Sequence, residues 1–260
     1  MITSGYHSTR LPLPRPSRLM LPVFILTSLL VQSCVSGGTV RATPDFAGGR
    51  YPVSSIAVLK PEGDIRYISR GGLPRNTGIF SLRISEMASS VLVKELNKKG
   101  YSASRPGEHQ DKRIQEKQLS GGISAAWHLV SGTLYDRLYQ PKERALNIDA
   151  TIPAEALQSP LLKDSDMVLY ISYSGASYAG EWDNATLSGG TIIGTGNVIT
   201  PTGSRHSVQT LAVLINSKTG AVLWANQADK DMHFGNDNDF IAAIVEVLDD
   251  LPARGQPIAP

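Results

Sequence analysis

The sequence predicts an α/β domain, with α+β left open: a mixed sheet of about five strands, two main helices packed on it, and a C-terminal hairpin and helix. Three observations carry this. Ile84, Met87, Ala88, Val91, Leu92 and Leu96 recur at three- and four-residue spacing, the stripe of a helix with one buried face. Val208 to Ile215 is apolar on both faces, as a central strand covered on both sides is. Phe240, Ile241, Ile244, Val245, Leu248 and Leu251 repeat the helical stripe near the end of the chain.

In chain order, Val53 to Leu59 reads as the first strand, closed by a turn at Pro61 to Asp64. A loop rich in glycine and arginine, Arg70 to Arg75, leads to the striped helix. Ser81 is expected to cap it, Lys94, Lys98 and Lys99 suit its negative end, and Gly100 is expected to turn left-handed behind it. Tyr101 to Ala103 begins a short strand. Arg105 to Gln118 holds eight ionisable residues around Ile114 and reads as a solvated loop or exposed helix without chemistry. Trp127 to Tyr139 alternates and reads as a strand, and Pro153 to Leu157 as a short helix. Met167 to Tyr173 is a further strand behind the turn-rich Lys163 to Asp166. After the central strand, Asn216 to Gly220 turns the chain and Ala221 to Trp224 returns. Asp237 or Asn238 caps the last helix and Pro252 stops it.

The whole chain has 260 residues, 41% hydrophobic and 18% charged, which excludes general disorder, collagen and coiled coil. One cysteine excludes a disulfide scaffold. Arg10, Arg15 and Arg18 precede an apolar run from Leu19 to Val31 that is shorter than the roughly 20 residues of a spanning helix and is broken by Pro22, so it reads as the apolar core of a signal peptide. Removing residues 1–33 removes three arginines and no acid, leaving 22 basic against 23 acidic residues and a net charge of −1. A nearly neutral body argues against a nucleic-acid partner, which demands a clustered basic surface.

Val31-Gln-Ser-Cys34, placed at the end of that run, resembles the lipobox of bacterial lipoproteins. The resemblance implies lipidation of Cys34 by a diacylglycerol thioether and an amide-linked acyl chain, more than the two signals that stable anchoring takes. It also implies that Val35, in place of the inner-membrane retention aspartate, directs the chain to the outer membrane. The expected organisation is a lipoprotein signal peptide at 1–33, a flexible tether at 34–50 from lipidated Cys34, a single periplasmic domain at 51–251 and a disordered tail at 252–260.

Ile56-Ala-Val-Leu59, Leu96 to Tyr101, Asp166 to Leu169, and Ile215 to Trp224 occur in an order that is similar to a periplasmic domain of envelope proteins. That domain is shared by the TolB amino-terminal domain, the curli secretion channel lipoprotein, the lipoprotein collar of exopolysaccharide export and the lipoprotein activators of peptidoglycan synthases. The resemblance implies no catalytic residue, because Thr219-Gly220 and Trp224 are turn and packing features there. The segments 104–126 and 175–203 have no clear counterpart in it.

Candidate sites are few. No Gly-x-Ser-x-Gly elbow occurs, since Ser174-Gly175 lacks the preceding glycine. His109, His128, His206 and His233 lack metal-ligand spacing, so no metal site is expected. Gly235 to Asp239 has closely spaced oxygen ligands for Ca²⁺ but no EF-hand glycine or distal glutamate, and capping is the better reading. Gly194-Thr-Gly196 lacks the third glycine and the helix of a dinucleotide site. The glycine-rich segment 175–203, with Tyr178 and Trp182, loosely resembles the part of the curli channel that supplies hairpins to a shared barrel, although Glu181, Asp183 and Asn184 fall where a lipid-facing band belongs; the alternative reading is a long surface hairpin or flexible loop.

The expectation is a non-enzymatic, lipid-anchored outer-membrane lipoprotein acting as a periplasmic assembly, docking or regulatory module. It would use no cofactor and no small-molecule substrate. Its partners would be the membrane, through Cys34, and an envelope protein or further copies of itself. The alternatives are a ring-forming secretion or polysaccharide-export component and a cell-wall-acting enzyme using Glu181, Asp183 and Asp231.

Overall fold

Strands with apolar residues on both faces must sit in the middle of a covered sheet. Three do so in a computed structural model, which describes residues 40–52, 54–68, 74–76, 78–107, 109–135, 147–178, 192–194, 197–199, 206–231 and 237–258. They are β2 (Ser55–Val58), β6 (Met167–Tyr178) and β9 (His206–Asn216). On β2 and its exit, Ile56 and Val58 face one core while Ala57 and Leu59 face the other. On β6, Met167, Leu169 and Ile171 oppose Val168 and Tyr170, and on β9, Leu214 opposes Val213 and Ile215.

The remaining strands are β1 (Arg41–Ala42), β3 (Glu62–Ile68), β4 (Pro74–Asn76), β5 (Ser102–Ser104) and β10 (Val222–Asp231), with a separate two-stranded ladder of β7 (Ile192–Gly194) and β8 (Asn197–Ile199). The main sheet has eight strands in the order β1-β10-β9-β6-β2-β5, with β3 pairing β6 beyond the end of β2 and β4 pairing β3. β2 runs parallel to both β5 and β6, whereas β6-β9, β9-β10 and β10-β1 are antiparallel. The fold is thus mixed α/β, as the periodicities predict, and the sheet is larger than the expected five strands. The hairpin β9-β10 lies inside this sheet rather than appended to it.

Among the described residues four α-helices cover it: α1 (Pro44–Ala47), α2 (Gly78–Lys98), α3 (Arg113–Leu134) and α4 (Asp237–Glu246). β2 reaches β5 on one side through α2, and β5 reaches β6 on the other side of β2 through α3. Right-handed crossovers in opposite directions place their helices on opposite faces. Accordingly Ile84, Ala88, Leu92 and Leu96 of α2 share a core with Phe240, Ile241 and Ile244 of α4, while Leu119, Ile123 and Trp127 of α3 lie in the second core. Phe80 meets Phe240 edge to face at 5.2 Å, tying α2 to α4.

Several expectations are corrected. Trp127 to Tyr139, expected as a strand, begins inside α3, because Leu119, Ile123 and Trp127 recur every four residues and bury one helical face. Pro61 to Asp64 is not a closing turn: the chain re-enters the sheet as β3 at Glu62. Ser81 lies within α2 rather than at its cap, and its hydroxyl accepts the N–H of Ile65 at 3.2 Å. Met87 is 39% exposed, outside the buried stripe.

The proposed tether and tail are also corrected where they are described. Val40, Arg41, Ala42 and Phe46 are buried, and Thr43 N–H donates to Leu223 O at 3.0 Å. Ile258 is buried too, and its N–H donates to Ala47 O at 2.8 Å. Both ends supply apolar side chains that the edge of the larger core would otherwise leave wet. Gly100 takes φ 87°, as its position behind a helix requires, and Gly220 takes φ 74° with Ile152 O so close that a Cβ would meet it at 2.0 Å.

Candidate functional site

The two ends of β2 collect the polar side chains. At its amino-terminal end a single carboxylate does the joining. Asp166, just before β6, accepts four hydrogen bonds at Oδ2: from the hydroxyls of Ser54 (2.8 Å) and Ser55 (2.9 Å) and from their backbone N–H groups (3.2 and 3.1 Å). Its carbonyl accepts the N–H of Ser217 at 3.0 Å, bringing in the β9-β10 turn. These donors, the Ser54 hydroxyl first and the Ser55 N–H next, stabilise the ionised form and lower the carboxyl to about 2.

At the carboxyl-terminal end, where open α/β sheets place ligands, the arrangement is a charge cluster. The Glu86 carboxylate of α2 bridges Lys60 Nζ at 3.3 Å and Arg105 at 2.8 Å. Burial works against the Glu86 charge, but the Arg105 hydrogen bond and the Lys60 charge outweigh it and hold the group low. Glu116 of α3 is buried and accepts the N–H of Lys60 at 2.9 Å. Gly107 makes room for it, because a Cβ there would meet Glu116 Oε2 at 1.9 Å. Tyr170 O–H donates to Glu62 at 3.5 Å, and burial pushes that phenol up to about 12. Burial also raises Glu62, more than its bond from Tyr170 and the nearby Lys117 and Lys60 charges lower it. The cluster fastens α2 and α3 to the end of β2, matches its cations with Glu86, and leaves Glu62 as its readily protonated carboxyl.

A third feature is the edge where the chain enters the domain. β1 pairs with β10 through Arg41↔Ala225 and Ala42↔Trp224. Arg41 is 2% exposed, donates from Nε to Leu134 O at 3.2 Å, and lies 5.4 Å from the centroid of the Tyr135 ring. Val40 and Ala42 face the α2 and α4 core, so Arg41 alone carries β1 to the carboxyl end of α3. β10 carries a register shift between Val222 and Trp224, which turns Trp224 into the larger core.

The sequence-derived candidates are dispersed. Cys34, the signal segment, Glu181, Trp182, Asp183, Asn184, His233, Gly196 and most of 175–203 lie outside the described residues. His109 is exposed just before the 3₁₀ turn that leads into α3, His128 is exposed on α3 itself, and His206 and Asp231 stand at the ends of β9 and β10. Asp237 and Asp239 open α4, where Asp237 pairs with Arg83 at 2.9 Å. Ser174 and Gly175 are ladder residues of β6 opposite Gln209 and Val208. Among the described residues no group of three His, Cys, Asp or Glu is placed to hold a metal ion. The charge cluster was missed in sequence because its members are scattered from Lys60 to Tyr170. One signal was available: Glu116 falls on the Leu119-Ile123 stripe and therefore had to be buried.

Fold and edges together define an α/β domain with helices on both faces of a mixed sheet. No family model matches the chain, and no curated protein matches it. Among solved structures it is similar to the PelC dodecamer from Paraburkholderia phytofirmans, at 16% identity over 84% of this chain and 99% of that one, with a TM-score of 0.35. It is similar also to lipoprotein GNA1162 from Neisseria meningitidis, at 16% identity over 70% of this chain and 84% of that one, with a TM-score of 0.31.

Proposed function

We propose that the chain is a non-enzymatic lipoprotein anchored through Cys34 to the outer membrane, whose domain serves as a periplasmic assembly, docking or regulatory module. The observation that carries this reading is the apolar run ending at Val31 with Cys34 three residues later, followed within six residues by the ordered strand entry at Val40. An anchor at that cysteine holds an already folded edge close to the bilayer. No helix among the described residues is long and apolar enough to cross a membrane.

The test is fractionation of cells making the native chain or Cys34→Ala, together with the mass of the purified mature protein. The native chain is expected in the outer-membrane fraction with a mass increment for acylation, and the variant in the soluble fraction. Native protein recovered soluble and unacylated would sink the anchor. A hydrolytic activity on cell-wall polymer would sink the non-enzymatic part.

A further inference from the structure

The described surface carries two groups of exposed large apolar side chains, one on each face of the sheet. On α2 they are Ile79 (90% exposed), Leu82 and Met87, among charges that are largely paired: Arg83 with Asp237, Glu86 with Lys60 and Arg105, and Lys98 with Glu95. On α3 they are Ile114 (72%) and Leu129 (80%). Fifteen residues apart, they stand on the same side of the helix, about 60° apart in angle and about 22 Å apart along the axis. Glu116, the acid of that helix, points inward and is consumed by Lys60. Lys112, Arg113 and Lys117 are exposed around Ile114, against the exposed acids Asp111 beside them and Glu155 on the 3₁₀ turn that packs along α3 near Gly122. An outer face with apolar residues at both ends, a basic cluster and little opposing charge has the chemistry of a helix lying on an anionic lipid surface.

Covalent reach selects this face over α2. From Cys34 to Val40 the chain spans at most about 20 Å. Val40 enters at the β1 edge, and the next residue, Arg41, bonds the last turn of α3 at Leu134 O. The other end of α3 sits over β2, where Glu116 meets Lys60, four strand positions from β1 in the sheet order. α3 therefore crosses the sheet from β2 to the edge where the anchor arrives. α2 lies on the opposite face, which a bilayer touching α3 does not reach.

We propose that the outer face of α3 docks on the anionic headgroup surface of the membrane that holds the chain. Ile114 and Leu129 enter the interface, and Lys112, Arg113 and Lys117 meet lipid phosphates. The proposal rests on the Cys34 anchor. The occupant is lipid rather than a second copy because the anchor delivers a bilayer to this edge and the charge on the face suits phosphate.

The experiment uses the full lipidated chain in vesicles of phosphatidylethanolamine and phosphatidylglycerol, carrying Ile114→Cys, Leu129→Cys or Ile79→Cys with an environment-sensitive fluorophore. Lipidation consumes the thiol of Cys34, the only native cysteine, so each variant takes one label. Flotation reports anchoring and the emission reports docking. Labels at 114 and 129 are expected to shift to the blue and to be quenched by spin-labelled lipid, while the label at 79 stays aqueous. Charge reversal at Lys112, Arg113 and Lys117 is expected to return both to the aqueous value without loss of flotation. Loss of flotation overturns the anchor and the docking with it. Flotation with aqueous labels at 114 and 129, or with only position 79 shifted, overturns the docking alone. A blue shift without vesicles, in the Cys34→Ala mature chain and rising with protein concentration, assigns the face to a second copy and also overturns it.

Discussion

The two faces of the sheet are covered by different means. One carries α2 and α4, whose stripes interlock with Ile56, Leu169 and Leu214, so that its core is shared among many side chains, Trp224 and Phe240 included. The other carries one long helix, interrupted by Gly121, Gly122 and Gly132, together with the short 3₁₀ turns Ala154–Leu157 and Pro160–Leu162. There Trp127, Tyr170 and Ile152 fill volume that a second helix would otherwise supply. Redundant packing tolerates a deletion better than packing that hangs on one large ring, because the surroundings can close over the gap.

The largest expected effect breaks that comparison most directly. Trp127→Ala is expected to cost about 3–5 kcal/mol, near the top of the range for core truncations, and Leu92→Ala about 2–3 kcal/mol. Urea unfolding of both measures the difference, and a larger loss at Leu92 would mean the faces are packed alike.

Asp166→Ala comes next, at about 0.5–1.5 kcal/mol, because the bonds from Ser54 and Ser55 are lost but these exposed and half-buried donors can turn to water. The sign with pH follows from the lowered carboxyl. The ionised form is favoured in the fold, so this contribution is whole above the ordinary aspartate value near 4 and is lost as pH falls toward about 2. Acid titration of native and variant chains should show the native losing more stability in that window.

Gly121→Ala should stabilise the chain by about 0.5–1 kcal/mol, since the residue lies inside a helix and nothing stands within 4 Å of an added Cβ. A loss in thermal melting would show that this face is covered in the folded protein. Glu62→Gln is expected to have the smallest effect. The raised carboxyl means that Glu62 weakens the fold as pH rises through its folded value, so the amide should be slightly more stable than the native chain at neutral pH and equal to it below pH 4. A variant destabilised at neutral pH would show that the ionised form is needed in the cluster.

The same contrast governs how much could be read in advance. The α2 and α4 face was legible because an uninterrupted stripe such as Ile84, Ala88, Leu92 and Leu96 states its period within one window. The α3 face was not: its glycines lower helix propensity, and the window beginning at Trp127 alternates over a few residues, which favours a strand unless Leu119 and Ile123 are counted with it. Of the candidate site, Asp166 was visible as a strand-opening aspartate, but its four donors come from Ser54 and Ser55, more than a hundred residues earlier. Arg105 and Glu116 read as solvated charge for the same reason, since their partners Lys60 and Glu86 come from other segments.

By itself the sequence determined the class of fold, the strand at 167–173, the two-faced strand at 208–215, the helix at 84–96, the start of the last helix near Asp237, which ends at Glu246 and not at Pro252, and the glycine turns at 100 and 220. These are local properties, set by the spacing of side chains along a helix or strand and by which residues accept positive φ. Tertiary structure alone decided that 40–50 and 252–258 belong to the domain, that β3 extends the sheet past β2, and that α3 reaches the edge where the chain enters. Those outcomes depend on partners such as Arg41 and Leu134, 93 residues apart, whose meeting is fixed by packing and by no periodicity that either segment carries.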